Sequence, residues 1–216
     1  LYEGGASLST ADNILRVGRE LGLCSDDADT NALVTRGDAA IILHVVLTQS
    51  FRIEEPPVPV TLVNAAGVNI NDYLLALRQV PEPVLAAFNA AGWTYRIDFD
   101  YMGGLSKKLN MSCIGATNYS QKTIYLSEAS ATLHEFGHFL DWMLGFPAEY
   151  EQLFRAEASA APLRNYAKTD SREYFADCFA YWVKYAENAN AISLLQECAP
   201  MTYRYMEDLM RIANRL

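Results

Sequence analysis

Residues 132–140 read Thr132-Leu133-His134-Glu135-Phe136-Gly137-His138-Phe139-Leu140. Leu133, Phe136, Phe139 and Leu140 recur at helical spacing, which predicts a buried helix over residues 129–144. On such a helix His134 and His138 stand four positions apart on one face, so both imidazoles reach a single metal ion. Glu135 sits beside them, close enough to act on a metal-bound water without ligating the metal. Gly137 costs about 1 kcal/mol in a helix interior, so a close backbone neighbour is expected there. Chance is a poor account of the motif, because the chain has 3 histidines and two of them fall within it.

A catalytic zinc takes three protein ligands and keeps one position open. The remaining histidine, His44, belongs to a separate N-terminal segment and is a poor third ligand. The metzincin spacing would need glycine and histidine where the chain has Asp141 and Leu144, so an acidic ligand is required. Glu173, in Asp170-Ser171-Arg172-Glu173-Tyr174-Phe175-Ala176-Asp177, is the best placed. A helix is expected over residues 171–189, with Glu173 and Asp177 on one face. Glu173 is then the third ligand and Asp177 the group that orients a ligand histidine. The local alternative is a capping box in which Asp170 and Glu173 merely start the helix.

His134-Glu135-Phe136-Gly137-His138, followed by Tyr166 and by Glu173-Tyr174-Phe175-Ala176-Asp177, resembles the anthrax lethal factor family of metalloproteases, which includes the secreted bacterial Pro-Pro endopeptidases. The resemblance covers residues 60–216 and is most specific over 124–181. It implies a zincin-like domain binding one Zn2+ through His134, His138 and Glu173. It also implies a catalytic role for Tyr166, seven positions before the glutamate, as the phenol aimed at the open metal position. Asp177 departs in length from relatives that carry glutamate there. The implied reaction is peptide hydrolysis: Glu135 takes a proton from a zinc-activated water and delivers it to the leaving nitrogen. Zinc and Tyr166 stabilise the oxyanion. Cleavage next to proline, between two prolines in the narrowest form, is implied by the same relatives. An ordinary amphipathic surface tyrosine is the alternative for Tyr166.

Around this centre the fold class expected is α+β and mostly helical, with a small sheet packed on the HExxH helix. Residues 93–99 alternate and read as a strand that Met102-Gly103-Gly104 breaks. Residues 113–119 and 122–126 read as two strands around Ser120-Gln121, the second presenting an edge for strand addition by substrate. Residues 71–78, 81–91, 149–158 and 201–216 read as further helices. Cys178 reads as core, and sequence alone pairs none of the 4 cysteines.

Three parts are expected along the chain: a helical module over 1–53, a Pro-rich linker over 54–60 and the catalytic domain over 61–216. The first resembles a surface-layer homology module, chiefly through Gly22-Leu23 and Thr35-Arg36. That implies a cell-wall polymer as partner and a secreted or surface-attached bacterial protein. A Ca2+ loop over Asp27–Asp38 is a rival reading, though Ala32 stands where its sharp turn needs glycine. A solvated acidic loop suits the segment better. Net charge −9 over 216 residues opposes a nucleic-acid partner. No apolar run approaches the ~20 residues of a membrane span. From another functional class comes the alternative of a wall-attached surface protein with a non-catalytic zinc. Deletion of residues 1–55 is expected to leave a folded, zinc-binding domain. Loss of zinc or of cooperative unfolding in the truncated chain would make the module part of the catalytic core.

Overall fold

The computed structural model describes residues 60–213, which lie in one compact unit beginning at Pro56. The expected module over 1–53, the Asp27–Asp38 loop, His44 and the linker up to Pro59 lie outside the described residues. In chain order the elements are β1 (Leu62–Asn64), α1 (Asn71–Leu77), α2 (Glu82–Ala90), β2 (Thr94–Ile97), α3 (Phe99–Leu109), β3 (Gly115–Asn118), β4 (Thr123–Leu126), α4 (Thr132–Met143), α5 (Ala148–Glu157), α6 (Ser171–Lys184), α7 (Ala189–Cys198) and α8 (Pro200–Ala213). This is a mostly helical α+β domain around one small sheet. Among the described residues no helix is long and apolar enough to cross a membrane.

The sheet runs in the order β1-β2-β4-β3. β1, β2 and β4 are parallel, and β3 closes antiparallel onto β4. Strand side chains alternate between faces, and register groups Tyr95 with Ile124 and Ile97 with Leu126. These four make the face against α4, as the Tyr95 ring beside Phe136 shows. The Tyr95 hydroxyl also shares a 2.7 Å hydrogen bond with Thr132, which pins the start of α4 to the sheet. Tyr125 points the other way and stacks on Tyr101 of α3 at 3.7 Å. Beneath α4 an aromatic cluster fills the core: Phe88 lies 4.9 Å from Phe136, and Trp93 lies 5.2 Å from Phe139 and 5.1 Å from Trp142. Such ring pairs contribute about 0.5–1.5 kcal/mol each beyond their buried area.

Three expectations are corrected. Met102-Gly103-Gly104 does not end the strand, which stops at Ile97, but lies inside α3. Asp98 starts that helix by accepting from Tyr101 N. Met102 anchors it in the core, while the two glycines face open space and cost only propensity. Residues 122–126 do not form an edge, because β4 is paired on both sides; the edges of the sheet are β1 and β3, and β3 is the one beside β4. The helix expected over 171–189 ends at Lys184, and Asn188 caps a separate α7 by accepting from Ala191 N. Cys178 is buried as expected, and Cys113, Cys178 and Cys198 are free thiols.

Gly137 has the neighbour its position demanded. A Cβ there would stand 2.6 Å from Cα and 2.8 Å from the carbonyl oxygen of Ala176. Both obstacles are backbone of α6, so neither retreats by a rotamer change. Gly137→Ala therefore gains about 1 kcal/mol of helix propensity but forces the two helices apart, at a cost of about 1–3 kcal/mol. The expected outcome is a lower melting temperature and weaker zinc retention. A variant as stable as the parent would refute this packing constraint.

Candidate metal centre

α4 and α6 together supply the converging donors. His134 and His138 project from one face of α4, and Glu173 comes from the first turn of α6. His134 Nε2 lies 3.1 Å from His138 Nε2 and 3.0 Å from Glu173 Oε2, and His138 Nε2 lies 3.5 Å from the same carboxylate oxygen. Zinc bonds of about 2.0–2.1 Å in a tetrahedral site place ligand atoms about 3.3 Å apart. The triangle already has that size. Glu173 Oε2 is buried yet accepts no aligned hydrogen bond, which suits an atom whose lone pair is directed at a metal. The residues present therefore fit zinc, and among the described residues they are the set that could hold a metal ion.

The capping alternative for Glu173 is half right. Asp170 does cap α6, accepting from Arg172 N and Glu173 N. Glu173 does not reciprocate; its carboxylate turns to the histidines instead.

Asp177 stands one turn further along α6, and its Oδ1 is 2.7 Å from His134 Nδ1. A ring nitrogen engaged in this way leaves Nε2 for the metal. Arg164 completes the set, with Nη2 donating to Asp177 Oδ1 at 2.7 Å and Nε to Oδ2. Burial opposes the Asp177 charge, but the hydrogen bonds from His134 and Arg164 prevail and hold its carboxyl below the usual range. The guanidinium also lies 5.2 Å from the Tyr166 ring centroid, within cation–π range.

Tyr166 sits on a 3₁₀ turn, Asn165–Lys168, between α5 and α6. Its ring centroid is 6.3 Å from that of His134, and the residue is 41% exposed. Burial and the neighbouring Glu173 charge raise its phenol pKa, so it remains a protonated donor. Glu135 is buried on α4, and burial raises its pKa against the opposing influence of both histidines and of Thr117. A raised carboxyl is what a general base near neutral pH needs. All of these groups line one cleft of about 1010 Å³, bordered by β3 and α6.

Arg164, Thr117 and Gly115 were not anticipated from sequence. For the two on β3 a signal existed, since alternate residues of a strand beside the zinc helix must face it. Arg164 carries no local signal beyond its closeness to Tyr166.

Without metal, His134 is governed by competing influences. Burial opposes its charge, but the hydrogen bond to Asp177 and the Glu173 carboxylate close to Nε2 prevail and lift it to about 9. Its contribution to metal-free stability is therefore complete below the unfolded value near 6.5 and is lost as pH rises through 9. Zinc must displace that proton. Zinc affinity is expected to climb from pH 6.5 toward 9, while the melting temperature of the metal-free protein falls over the same window. Competition with a chelator at several pH values checks the first, and a pH-independent affinity would contradict it. Glu173→Ala is expected to lose zinc, and Arg164→Ala to weaken it about 10–100-fold. Stoichiometric zinc in Glu173→Ala would remove that residue from the ligand set.

No curated protein matches the chain. Among solved structures it is similar to the Pro-Pro endopeptidase PPEP-2 from Paenibacillus alvei, with a TM-score of 0.53 and 19% sequence identity over 68% of this chain and 96% of that one. This likeness is one of fold. The family description "Anthrax toxin lethal factor, N- and C-terminal domain" matches residues 96–209, which is more than half of the 216 residues and contains every group of the metal centre; the chain belongs to the anthrax lethal factor family of metalloproteases.

Proposed function

We infer that this zinc metalloendopeptidase hydrolyses extended, proline-containing segments of extracellular or cell-surface proteins. The observation that carries the reading is the convergence of His134, His138 and Glu173 with Glu135 beside them and not among them. Zinc bound there supplies the Lewis acidity that makes water a nucleophile near neutral pH. Glu135 accepts the proton of that water and passes it to the leaving amide nitrogen. The Tyr166 hydroxyl donates to the oxygen that becomes negative as the carbonyl is attacked. Asp177 and Arg164 hold the His134 ring in its ligating orientation.

The free edge of β3 suits a substrate strand, which would add to it by main-chain hydrogen bonds. Apolar walls stand ready for proline rings: Leu109 and Met111 from α3 and the loop after it, and Leu163, Tyr181 and Tyr185 from the approach to α6, α6 itself and its C-cap. Proline fixes φ and lacks an amide donor, so its recognition depends on such walls more than on strand pairing. The N-terminal module and its attachment to cell-wall polymer belong to the same proposal, on the sequence resemblance described above, as does a secreted or surface-bound location.

Digestion of a random peptide library, with and without chelator, tests the reading. Metal-dependent cuts enriched in proline on both sides of the scissile bond are expected; cuts without proline enrichment would reject the specificity, and no cuts the protease. Glu135→Ala should keep zinc and lose turnover. Tyr166→Phe should keep zinc and KM while kcat falls on the order of 10²–10³-fold. An unchanged kcat would return Tyr166 to an ordinary surface role.

A further inference from the structure

Gly115 and Thr117 are alternate residues of β3 and pair with Leu126 and Ile124 of β4. Both therefore share the face that meets α4. Thr117 Oγ1 donates to Glu135 Oε2 at 2.7 Å and lies 3.3 Å from the Glu135 backbone carbonyl oxygen. Gly115 makes room beside it. A Cβ at that position would stand 2.5 Å from Glu135 Oε1, 2.9 Å from Glu135 Cγ and 2.8 Å from Ala131 Cβ. The carboxylate thus lies against the bare Cα of one strand residue and is held by the hydroxyl of the next residue on the same face. Its two oxygens are unequal. Oε2 has a donor; Oε1 has none among the described residues and stays open to the cleft that Glu135 lines.

We propose that Thr117 is a positioning residue for the general base, with Gly115 as its partner. The hydroxyl occupies Oε2, which leaves Oε1 as the oxygen to carry the proton from water to the leaving nitrogen. Gly115 supplies the space that this side-chain orientation occupies. The inference rests on Glu135 acting as the base. Its physical content is orientation: a carboxylate free to swivel presents its basic lone pair to the water only part of the time, and small displacements of a reacting group are costly in rate. β3 is also the strand whose free edge suits the substrate. One rigid pleat then sets the positions of both the base and the peptide, which holds geometry more tightly than two separate loops would.

The test compares Thr117→Val, Thr117→Ser and Gly115→Ala in the full zinc-loaded chain. Thr117→Val has nearly the parent's shape and lacks only the hydroxyl. It is expected to keep zinc and KM and to lose about 10–100-fold in kcat, the effect of removing a hydrogen bond to a charged group. Thr117→Ser should restore most of that loss. Gly115→Ala should also keep zinc and lose kcat, because its Cβ displaces Glu135. In a Glu135→Ala background Thr117→Val should have no further effect. Acetohydroxamate gives a second readout that needs no substrate, because it chelates zinc while giving its proton to the neighbouring carboxylate. Calorimetry should find it bound about tenfold more weakly by Thr117→Val. Parental kcat and hydroxamate affinity in Thr117→Val would overturn the proposal. So would loss of zinc in that variant, or failure of serine to rescue it. If the parent cleaves no peptide, the protease reading falls, and the hydroxamate comparison still decides the role of Thr117.

Discussion

The metal centre depends on the close approach of Gly137 to the backbone of Ala176. α4 carries two donors and α6 the third, so the distance between the helix axes sets the size of the ligand triangle. A side chain at position 137 would meet the Ala176 backbone and push the helices apart, enlarging the triangle. The tight contact is held from both sides. Phe136 and Phe139 lock α4 into the aromatic core under the sheet, and Tyr150 braces α6 from behind, edge-on to Phe175 at 4.8 Å. The chemistry at the surface of the cleft is thus fixed by packing several residues beneath it.

Around this contact the site is arranged in layers of decreasing directness. His134, His138 and Glu173 form the donor triangle. Asp177 orients His134, and Arg164 neutralises Asp177 while lying against Tyr166. Opposite them, β3 holds Glu135 through Thr117. Two different elements, one helical and one extended, thus hold the side chains of neighbouring residues of α4, the histidine ring and the carboxylate.

Sequence reading reached the centre and stopped short of its supports, for physical reasons. The histidine pair was readable because helical spacing is local: four residues bring two side chains together whatever the rest of the fold does. Glu173 was readable by valence, since two histidines leave an open catalytic zinc short of a ligand. Helix α3 was missed because Gly103-Gly104 reads as a break; what decides there is the Asp98 cap and the burial of Met102, and the latter is tertiary. Whether β3 or β4 forms the edge depends on the strand that β4 pairs with on its other side, β2, which precedes it by more than twenty positions in the chain. The clasp of Arg164 on Asp177 joins a loop to a helix, and no periodicity encodes it.

The hydrogen-bonded ring of His134 has a consequence for how the protein acquires its metal. Asp177 holds its Nδ1 and Arg164 holds Asp177, and neither contact involves the metal position. The orientation of the ring is therefore set by the protein's own hydrogen bonds, so an incoming cation meets one ligand already turned toward it. What zinc must still do there is compete with protons for the donors, so the acidity of the surroundings, as much as the supply of metal, sets how much of the protein is loaded.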